Sequence, residues 1–473
     1  MTTTLQDGPG ARDSAHRAST RWTLAALALC MLLPALGTSI ANIALPTLAV
    51  RFDASFQQLQ WVVLAYLLAS TPLIVSVGRL GDIVGHRRLL VIGIALFTAA
   101  CGLCAAAPNL AWLIAGRAVQ GLGAAIMMTL AMAFVGAAVP KEAAGRTLGL
   151  LGTASAVGTA LGPSLGGVLI AAFGWRAIFL VGVPAGLAAL ALAWRCLPAD
   201  RRAPAAALPA FDGLGALLMA LALAAYALAM TPGHGRFGAV NGALLALAAA
   251  GAALFARVEA RATSPLIRLA QLRDPVLGAG LVTSALVATV MMATLVVGPF
   301  HLARALALDP RAIGAVMSAG PLASALAGVP GGRLVDRFGA RRMTVLALAG
   351  MAFGCALLCV ASIGMGVAGY LIPLVVVTAH YALFQAANNT AVMAEVAPDS
   401  RGVVAGLLNL ARNLGLVTGA SAMGAVFAFG ANAADVMQAA PDAVAAGTRA
   451  AFAVAAGLVV VALVVAARCR AQT

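Results

Sequence analysis

Two arginines lie where a charge is costly, because Arg117 and Arg412 both fall inside long apolar runs of the sequence. An arginine in such a run normally faces the protein interior or a water-filled cavity, where it can bind an anion or a polar group. The alternative for Arg117 is that its side chain extends to the membrane surface, since it lies only about 10 Å from the start of its helix. Arg412 is deeper, which makes that alternative weaker.

A second group of polar residues lies close together later in the chain. Tyr381, Gln385 and Asn388 recur at i, i+4 and i+7, which places them on one face of a helix, with His380 and Asn389 beside them. Such a polar face predicts the lining of a water-filled cavity. Hydrogen bonds between helices, worth about 1 kcal/mol each, are the alternative.

The composition that surrounds these residues is that of a membrane protein. The 473 residues are 62% hydrophobic and 10% charged, whereas soluble chains are about 25% charged. Fourteen apolar runs have the roughly 20 residues that a membrane-spanning helix needs. They are residues 23–46, 59–78, 89–107, 110–138, 147–172, 177–197, 212–231, 239–257, 276–299, 312–331, 343–363, 367–394, 403–430 and 450–467.

The basic residues predict which side of the membrane each loop occupies. Of the 30 Lys and Arg residues, 22 lie in the two tails or in the loops after even-numbered spans, and six lie on the opposite side. Lys and Arg in short loops favour the cytoplasm, so both termini are predicted to be cytoplasmic. The net charge of +15 then reflects topology, and nucleic acid is excluded as a partner.

One motif occurs twice and divides the chain into two related halves. Residues 78–88 and 332–342 both fit G-R-L-x-D-x-x-G-x-R-R, and corresponding positions are 254 residues apart. Six helices with short loops need only roughly 200 residues, so two further helices are predicted between the halves. The predicted segments are an N-terminal tail (1–22), a six-helix half (23–197), a linker with two inserted helices (198–275), a second six-helix half (276–467) and a C-terminal tail (468–473).

The repeated motif resembles the loop signature of the major facilitator superfamily, and six, two and six helices resemble its fourteen-helix drug:proton antiporter group. Three further segments are similar to family patterns, namely 117–123 in the fourth helix, 158–167 in the fifth and 42–46 in the first. The resemblance implies an all-α fold of two pseudo-symmetric six-helix halves. It also implies secondary transport by alternating access.

Three groups of residues are expected to carry that function. In a conformational gate, Asp82 and Asp336 contact the N-termini of the thirteenth and fifth helices; solvated ion pairs on a loop are the alternative. The gate comprises Gly78, Arg79, Asp82, Gly85, Arg87, Arg88, Gly332, Arg333, Asp336, Gly339, Arg341 and Arg342. A fifth-helix hinge or seal, for which simple close packing is the alternative, comprises Gly158, Gly162, Pro163, Gly166 and Gly167. The substrate or coupling cavity comprises Asn42, Tyr66, Arg117, Gln120, His380, Tyr381, Gln385, Asn388, Asn389, Arg412 and Asn413.

One position departs from the family pattern. The related antiporters carry an Asp in the first helix where this chain has Gly37, and no carboxylate falls in the middle of a predicted span. Any proton coupling is therefore expected to use His380, which can gain a proton near neutral pH, or Glu395. Because no buried acid compensates the two arginines, the cavity is expected to favour neutral or anionic substrates.

The sequence thus predicts an efflux transporter for small lipophilic or amphiphilic compounds in a bacterial cytoplasmic (inner) membrane. Its expected partners are the substrate, protons as coupling ion and the lipid bilayer, and it is expected to work as a monomer. No enzyme activity, cofactor or metal is expected, since no catalytic constellation, nucleotide-binding loop or metal-ligand pattern is apparent. A facilitator or importer of a neutral or anionic metabolite is the alternative. A non-transporting sensor is disfavoured because no predicted loop exceeds about twenty residues.

Overall fold

Helices form all the regular structure in the described part of the chain. A computed structural model describes residues 9–138, 141–197, 200, 213–230, 238–261, 274–394, 396, 401–432, 436 and 438–469. The helices of the N-half are α1 (Pro9–Phe52), α2 (Phe56–Val84), α3 (His86–Ala105), α4 (Leu110–Ala138), α5 (Lys141–Phe173), α6 (Ala177–Leu180) and α7 (Gly182–Cys196). An inserted pair follows, α8 (Gly213–Met230) and α9 (Ala239–Arg261). The helices of the C-half are α10 (Pro275–Phe300), α11 (Pro310–Phe338), α12 (Ala340–Val360), α13 (Gly366–Ala394), α14 (Arg401–Thr418), α15 (Gly424–Ala431) and α16 (Pro441–Cys469).

The prediction of an all-helical protein with fourteen spans is confirmed. Thirteen helices in the described ranges are long and apolar enough to cross a membrane, and the bent helix α2 makes up to fourteen. The sixth span combines α6 and α7, and the thirteenth combines α14 and α15. The last helix begins at Pro441, before its predicted start at residue 450. The prediction counted only the apolar run, whereas the helix also includes the preceding polar residues Asp442, Thr448 and Arg449.

Three spans depart from a straight α-helix. The axis of α2 bends by 63° between Ile74 and Ser76, just after Pro72, which lacks the N–H of a helical hydrogen bond. The ninth span ends in a π-helical turn at His301–Ala305, and a second π-helical turn at Gly419–Met423 joins α14 to α15. Such turns change the hydrogen-bond register of a helix and leave local backbone groups available to neighbours.

Each copy of the repeated motif turns the chain at a glycine. Gly85 has a φ of 100° between α2 and α3, and Gly339 has a φ of 86° between α11 and α12. This backbone conformation is accessible to glycine and strained for other residues, which explains the glycine fixed in both copies. We call the end of the bundle that holds these two turns the motif side, and the opposite end the far side.

Small residues bring the first and fifth spans of each half into close contact. A Cβ added to Gly162 on α5 would lie 2.7 Å from Cβ of Ser39 on α1, and one added to Gly415 on α14 would lie 2.8 Å from an α10 side chain. The hydroxyl of Ser39 donates to the carbonyl of Gly158 (3.4 Å), and that of Thr289 on α10 donates to the carbonyl of Gly415 (3.1 Å). The same helix crossing is therefore built once in each half.

The inserted helices lie against both halves. They pack on each other, and α8 also contacts α2 and the π-helical turn at Gly419–Met423. Met219 of α8 is buried in a small apolar cluster with Leu407 and Leu410 of α14. One side of α14 is thereby covered by the inserted pair.

Candidate functional site

Arg117 is fully buried in the N-half and links three of its helices. Its guanidinium donates to the carbonyls of Val62 on α2 (3.0 Å) and Gly37 on α1 (3.1 Å), and it lies over the ring of Tyr66 at 4.4 Å. The nitrogen Nη2 has no hydrogen-bond partner. The side chain does not extend to the membrane surface, so that alternative does not hold.

The first-helix position that distinguishes this chain from the related antiporters lies directly beside this guanidinium. A Cβ added to Gly37 would lie 3.3 Å from the ring of Phe97 and 3.6 Å from Nε2 of Gln120. Gln120 accepts a hydrogen bond from Arg117 and donates one to Sγ of Cys101 (3.1 Å). Arg117 therefore bonds to the backbone of Gly37, where the family pattern would offer a carboxylate.

Tyr66 and Asn42 are the other two predicted cavity residues of the N-half. The hydroxyl of Tyr66 donates to the carbonyl of Pro34 (3.1 Å), and Nδ2 of Asn42 donates to the carbonyl of Thr38 (3.0 Å). Oδ1 of Asn42 is buried without a hydrogen-bond partner. Three of the four predicted cavity residues of the N-half, Tyr66, Arg117 and Gln120, are thus brought together inside the half and not on an exposed wall, and Asn42 is buried on α1.

The polar residues of α13 divide between two roles. Nε2 of Gln385 donates to the hydroxyl of Tyr381 (3.1 Å), and both side chains are half-buried. Asn388 is buried against α10, where Nδ2 donates to the carbonyl of Gly280 (3.2 Å) and to Oγ of Ser284 (3.0 Å). Asn388 therefore makes hydrogen bonds between helices, and it also lines the cleft described below.

His380 and Asn389 lie away from these bonds. Nδ1 of His380 lies 2.8 Å from the carbonyl of Val376 on its own helix, and its ring packs against Gly350 of α12. Asn389 is exposed. Glu395, the other candidate for proton coupling, lies outside the described residues.

Arg412 is half-buried on α14, and its buried nitrogen Nε has no hydrogen-bond partner. The neighbouring Asn413 is buried. Arg412 makes no ion pair among the described residues. Its charge is therefore not compensated by an acid within the described part of the chain.

Sequence reasoning missed a buried histidine near the far side. Nδ1 of His301 lies 3.1 Å from Oγ1 of Thr448 on α16, and its ring stacks on Tyr370 of α13 with 5.5 Å between the ring centroids. The hydroxyl of Tyr370 donates to the carbonyl of Thr294 (3.3 Å). No spacing pattern marks this site, because its members come from three distant helices and only the position of His301 at the end of an apolar run is visible in the sequence.

The motif carboxylates lie at the motif side without the predicted contacts. Oδ1 of Asp82 lies 3.4 Å from Nε2 of His86, and Asp336 is exposed. The N-terminus of α3 is capped instead by Asp200, which accepts from the backbone N–H of Arg87 (2.8 Å). Among the described residues neither motif carboxylate bonds to the other half, so the latch stays a prediction for another conformation. The remaining gate residues are partly or fully exposed around the same turns: Gly78, Arg79, Arg88, Gly332, Arg333, Arg341 and Arg342.

A cleft opens to solvent within the C-half. It has a volume of about 50 Å³ between α10, α12, α13 and α16, and its polar lining includes Thr283, Arg341, Thr344 and Asn388. Because all four helices belong to one half, this cleft is separate from the contact between the halves.

The fifth-helix glycines face two different neighbours. Gly158, Gly162 and Gly166 pack on α1 in the same half. Gly167 faces the other half instead, and a Cβ added to it would lie 3.1 Å from Cα of Gly314 on α11. The predicted hinge segment therefore has one face that holds the N-half together and another that contacts the C-half.

A second close contact between the halves joins α2 to α15 and the adjacent π-helical turn. Nε2 of Gln60 donates to the carbonyl of Ala420 (2.8 Å), and both residues are buried. The ring of Phe56 lies 4.8 Å from that of Phe300 and 5.2 Å from that of Phe427, each in an edge-on arrangement. We call these contacts, together with Gly167 against Gly314, the far-side seal.

Comparison with known proteins identifies the family. A model described as Major Facilitator Superfamily matches residues 27–255 and 280–472. The chain belongs to this superfamily. It is therefore a multi-pass membrane transporter for small molecules, and its fourteen spans agree with the drug:proton antiporter group.

Related proteins have more than one substrate type. The riboflavin transporter RibZ of Clostridioides difficile is 30% identical over 82% of this chain and 84% of its own length. The multidrug resistance protein Stp of Mycobacterium tuberculosis is 32% identical over 86% of this chain and 75% of its own length. Among solved structures, a bacterial homologue of the lysosomal transporter Spinster aligns with a TM-score of 0.66 at 17% identity, over 95% of this chain and 97% of that one. These similarities establish the fold and the transporter class.

Proposed function

We propose that this protein is a secondary active transporter that exports small lipophilic or amphiphilic compounds by alternating access. The observation that carries the proposal is the far-side seal. It consists of two crossings, α5 with α11 and α2 with α14–α15, so each crossing joins the second span of one half to the fifth span of the other. Helices that meet closely at one end can separate there and close at the other, as alternating access requires.

The direction of export depends on orientation. We assign the motif side to the cytoplasm of a bacterial inner membrane, because 22 of the 30 Lys and Arg residues belong to that side of the topology. The two six-helix halves, residues 23–197 and 276–467, then move relative to each other, and the inserted pair in 198–275 packs along both. Export is supported by relatives whose names describe multidrug resistance and drug efflux, at about 30% identity.

The test is transport in inverted membrane vesicles that contain the protein, with vesicles lacking it as control. A panel of anionic, neutral and cationic fluorescent compounds is supplied outside, with and without an imposed pH gradient, acidic inside. Accumulation that needs both the protein and the gradient is expected for a proton-coupled exporter. A protein that moves none of the compounds under any gradient would contradict the proposal.

Import or facilitated diffusion is a second candidate, favoured by the similarity to a riboflavin transporter and by the fold shared with a D-xylose-proton symporter at a TM-score of 0.66. The same vesicles separate the candidates. A facilitator equilibrates the compound without regard to the gradient, and a proton-coupled importer accumulates it only when the gradient is reversed.

A further inference from the structure

We propose that Arg412 and Asn409 of α14 bind the acidic group of the transported compound, so that the substrates are small organic anions bearing a carboxylate or a similar group. This inference rests on the proposed transport function and narrows its substrate class.

The packing of α14 determines where Arg412 points. Gly415 packs against α10 of the same half. Leu410 and Leu414, about 160° around the helix from Arg412 at 3.6 residues per turn, belong to the apolar cluster shared with α8. Helix α2 of the N-half also contacts α14. Arg412 and Asn409 lie on a face of α14 that is occupied neither by Gly415 nor by Leu410 and Leu414, and we assign this face to the space between the halves.

The same face has room and donors for a ligand. Asn409 is exposed and Arg412 is half-buried, so neither is packed tightly against another helix. Nε of Arg412 is buried and has no hydrogen-bond partner. A guanidinium presents its donors in a planar fork that matches a carboxylate, and the amide of Asn409 adds a further donor.

The charge balance of the bundle selects the sign of the ligand. Arg117 adds a second positive charge in the N-half and makes no ion pair among the described residues. None of the fifteen Asp and Glu residues lies in the middle of a predicted span. Field lines are focused where apolar walls surround like charges, so an anion is attracted into this space and an organic cation is repelled.

The rest of the face explains why the ligand is organic. Ala405 and Leu416 share the face with Arg412 at helical spacing. They provide apolar surface on either side of the guanidinium. A small inorganic ion bound to the guanidinium would leave this apolar surface uncovered. An amphiphile with one acidic group can pair its acid with the guanidinium and cover the apolar surface with its hydrophobic part.

The experiment compares two dyes that share one ring system but differ in charge. Fluorescein is anionic, and a rhodamine methyl ester with the same xanthene ring is cationic. Their accumulation is measured in inverted vesicles containing the wild type, Arg412→Gln, Arg412→Lys or Arg449→Gln. The last is the matched control, because Arg449 is exposed on α16 and its loss removes the same charge from the surface.

We expect the wild type and Arg449→Gln to accumulate fluorescein. Arg412→Gln is expected to lose roughly tenfold to a hundredfold in fluorescein transport, as for a lost charge-assisted contact. Arg412→Lys keeps the charge but loses the planar fork, so it is expected to transport fluorescein better than Arg412→Gln and less well than the wild type, which shows that the site is folded. Fluorescein polarisation with the detergent-purified proteins checks binding independently of the membrane.

The outcomes separate this inference from the proposed function. If the wild type accumulates the rhodamine ester but not fluorescein, export stands and the anion site is wrong. Equal fluorescein transport and binding by wild type and Arg412→Gln would also overturn the site. If the wild type moves neither dye nor any other compound of the panel, the transport proposal fails and this inference fails with it.

Discussion

Substitution of Gly167 by alanine should open the far-side seal. The added Cβ would lie 3.1 Å from Cα of Gly314 and closer still to the carbonyl oxygen of Pro310, both in the other half. Backbone atoms cannot move aside as a flexible side chain can, so α5 and α11 must separate. Overpacking of this kind costs about 1–3 kcal/mol.

The cost arises only in the conformation in which the seal is closed. A differential free energy of about 1–3 kcal/mol changes the ratio of closed to open molecules by roughly 5- to 150-fold. The effect is therefore on the conformational equilibrium and not on the stability of either half. Transport should slow, because a molecule that cannot close the far side cannot complete the cycle.

The assay measures the distance between spin labels on the two halves. Val50 near the end of α1 and Phe429 near the end of α15 are 77% and 67% exposed, so cysteines there accept labels without disturbing the packing. In a background without the native cysteines, Gly167→Ala should shift the distance distribution toward longer values. Gly152→Ala is the control on the same helix, since a Cβ there meets no atom within 4 Å. An unchanged distribution for Gly167→Ala, or an equal shift for Gly152→Ala, would refute the reasoning.

Three further substitutions test other parts of the same structure. Gly162→Ala forces α5 away from α1 inside one half, so it should lower the stability of the purified protein by about 1–3 kcal/mol. The melting temperature should fall, and an unchanged melting temperature would contradict the close crossing. Gln60→Leu keeps the volume but leaves the carbonyl of Ala420 without its donor (2.8 Å). The closed seal should then lose about 1–3 kcal/mol of stability, and the spin-label distance should lengthen. An unchanged distance would mean that Gln60 does not stabilise the seal. Gly339→Ala places a side chain at a φ of 86°, at a strain of about 1–3 kcal/mol, and should lower the melting temperature. Gly332→Ala in the same motif is the control and should leave the melting temperature unchanged.

The general architecture follows from features that a single sequence displays. Apolar runs of spanning length depend only on local composition, and they correspond to the helices of the bundle. The duplicated motif marks the two equivalent turns because the positive φ of Gly85 and Gly339 restricts both positions to glycine. Local chemistry and the hydrophobic effect therefore determine these parts without reference to neighbours in space.

The neighbours of each polar or small residue were not predictable in the same way. The i, i+4, i+8 spacing of Gly158, Gly162 and Gly166 indicates one face, but not that the face packs on α1 within a half. Asn388 has the spacing of a cavity face and does line a cleft, but the spacing did not indicate that it also bonds to α10. Spacing specifies which side chains share a face, and only tertiary packing decides what that face meets.

The internal repeat alone did not predict the far-side seal, because equivalent positions in the two halves carry different residues. At the offset of 254 residues that relates the two motif copies, Gln60 corresponds to Gly314. Both occupy the helix crossing between the halves, but one closes it with a side-chain hydrogen bond and the other with backbone contact. Equivalent positions can thus carry the same crossing through different chemistry, so identity between the copies is not required there. It follows that the two crossings can differ in the free energy needed to open them. Substitution of Gln60 weakens the hydrogen-bonded crossing without a steric clash, whereas any substitution at the glycine crossing adds atoms and overpacks it.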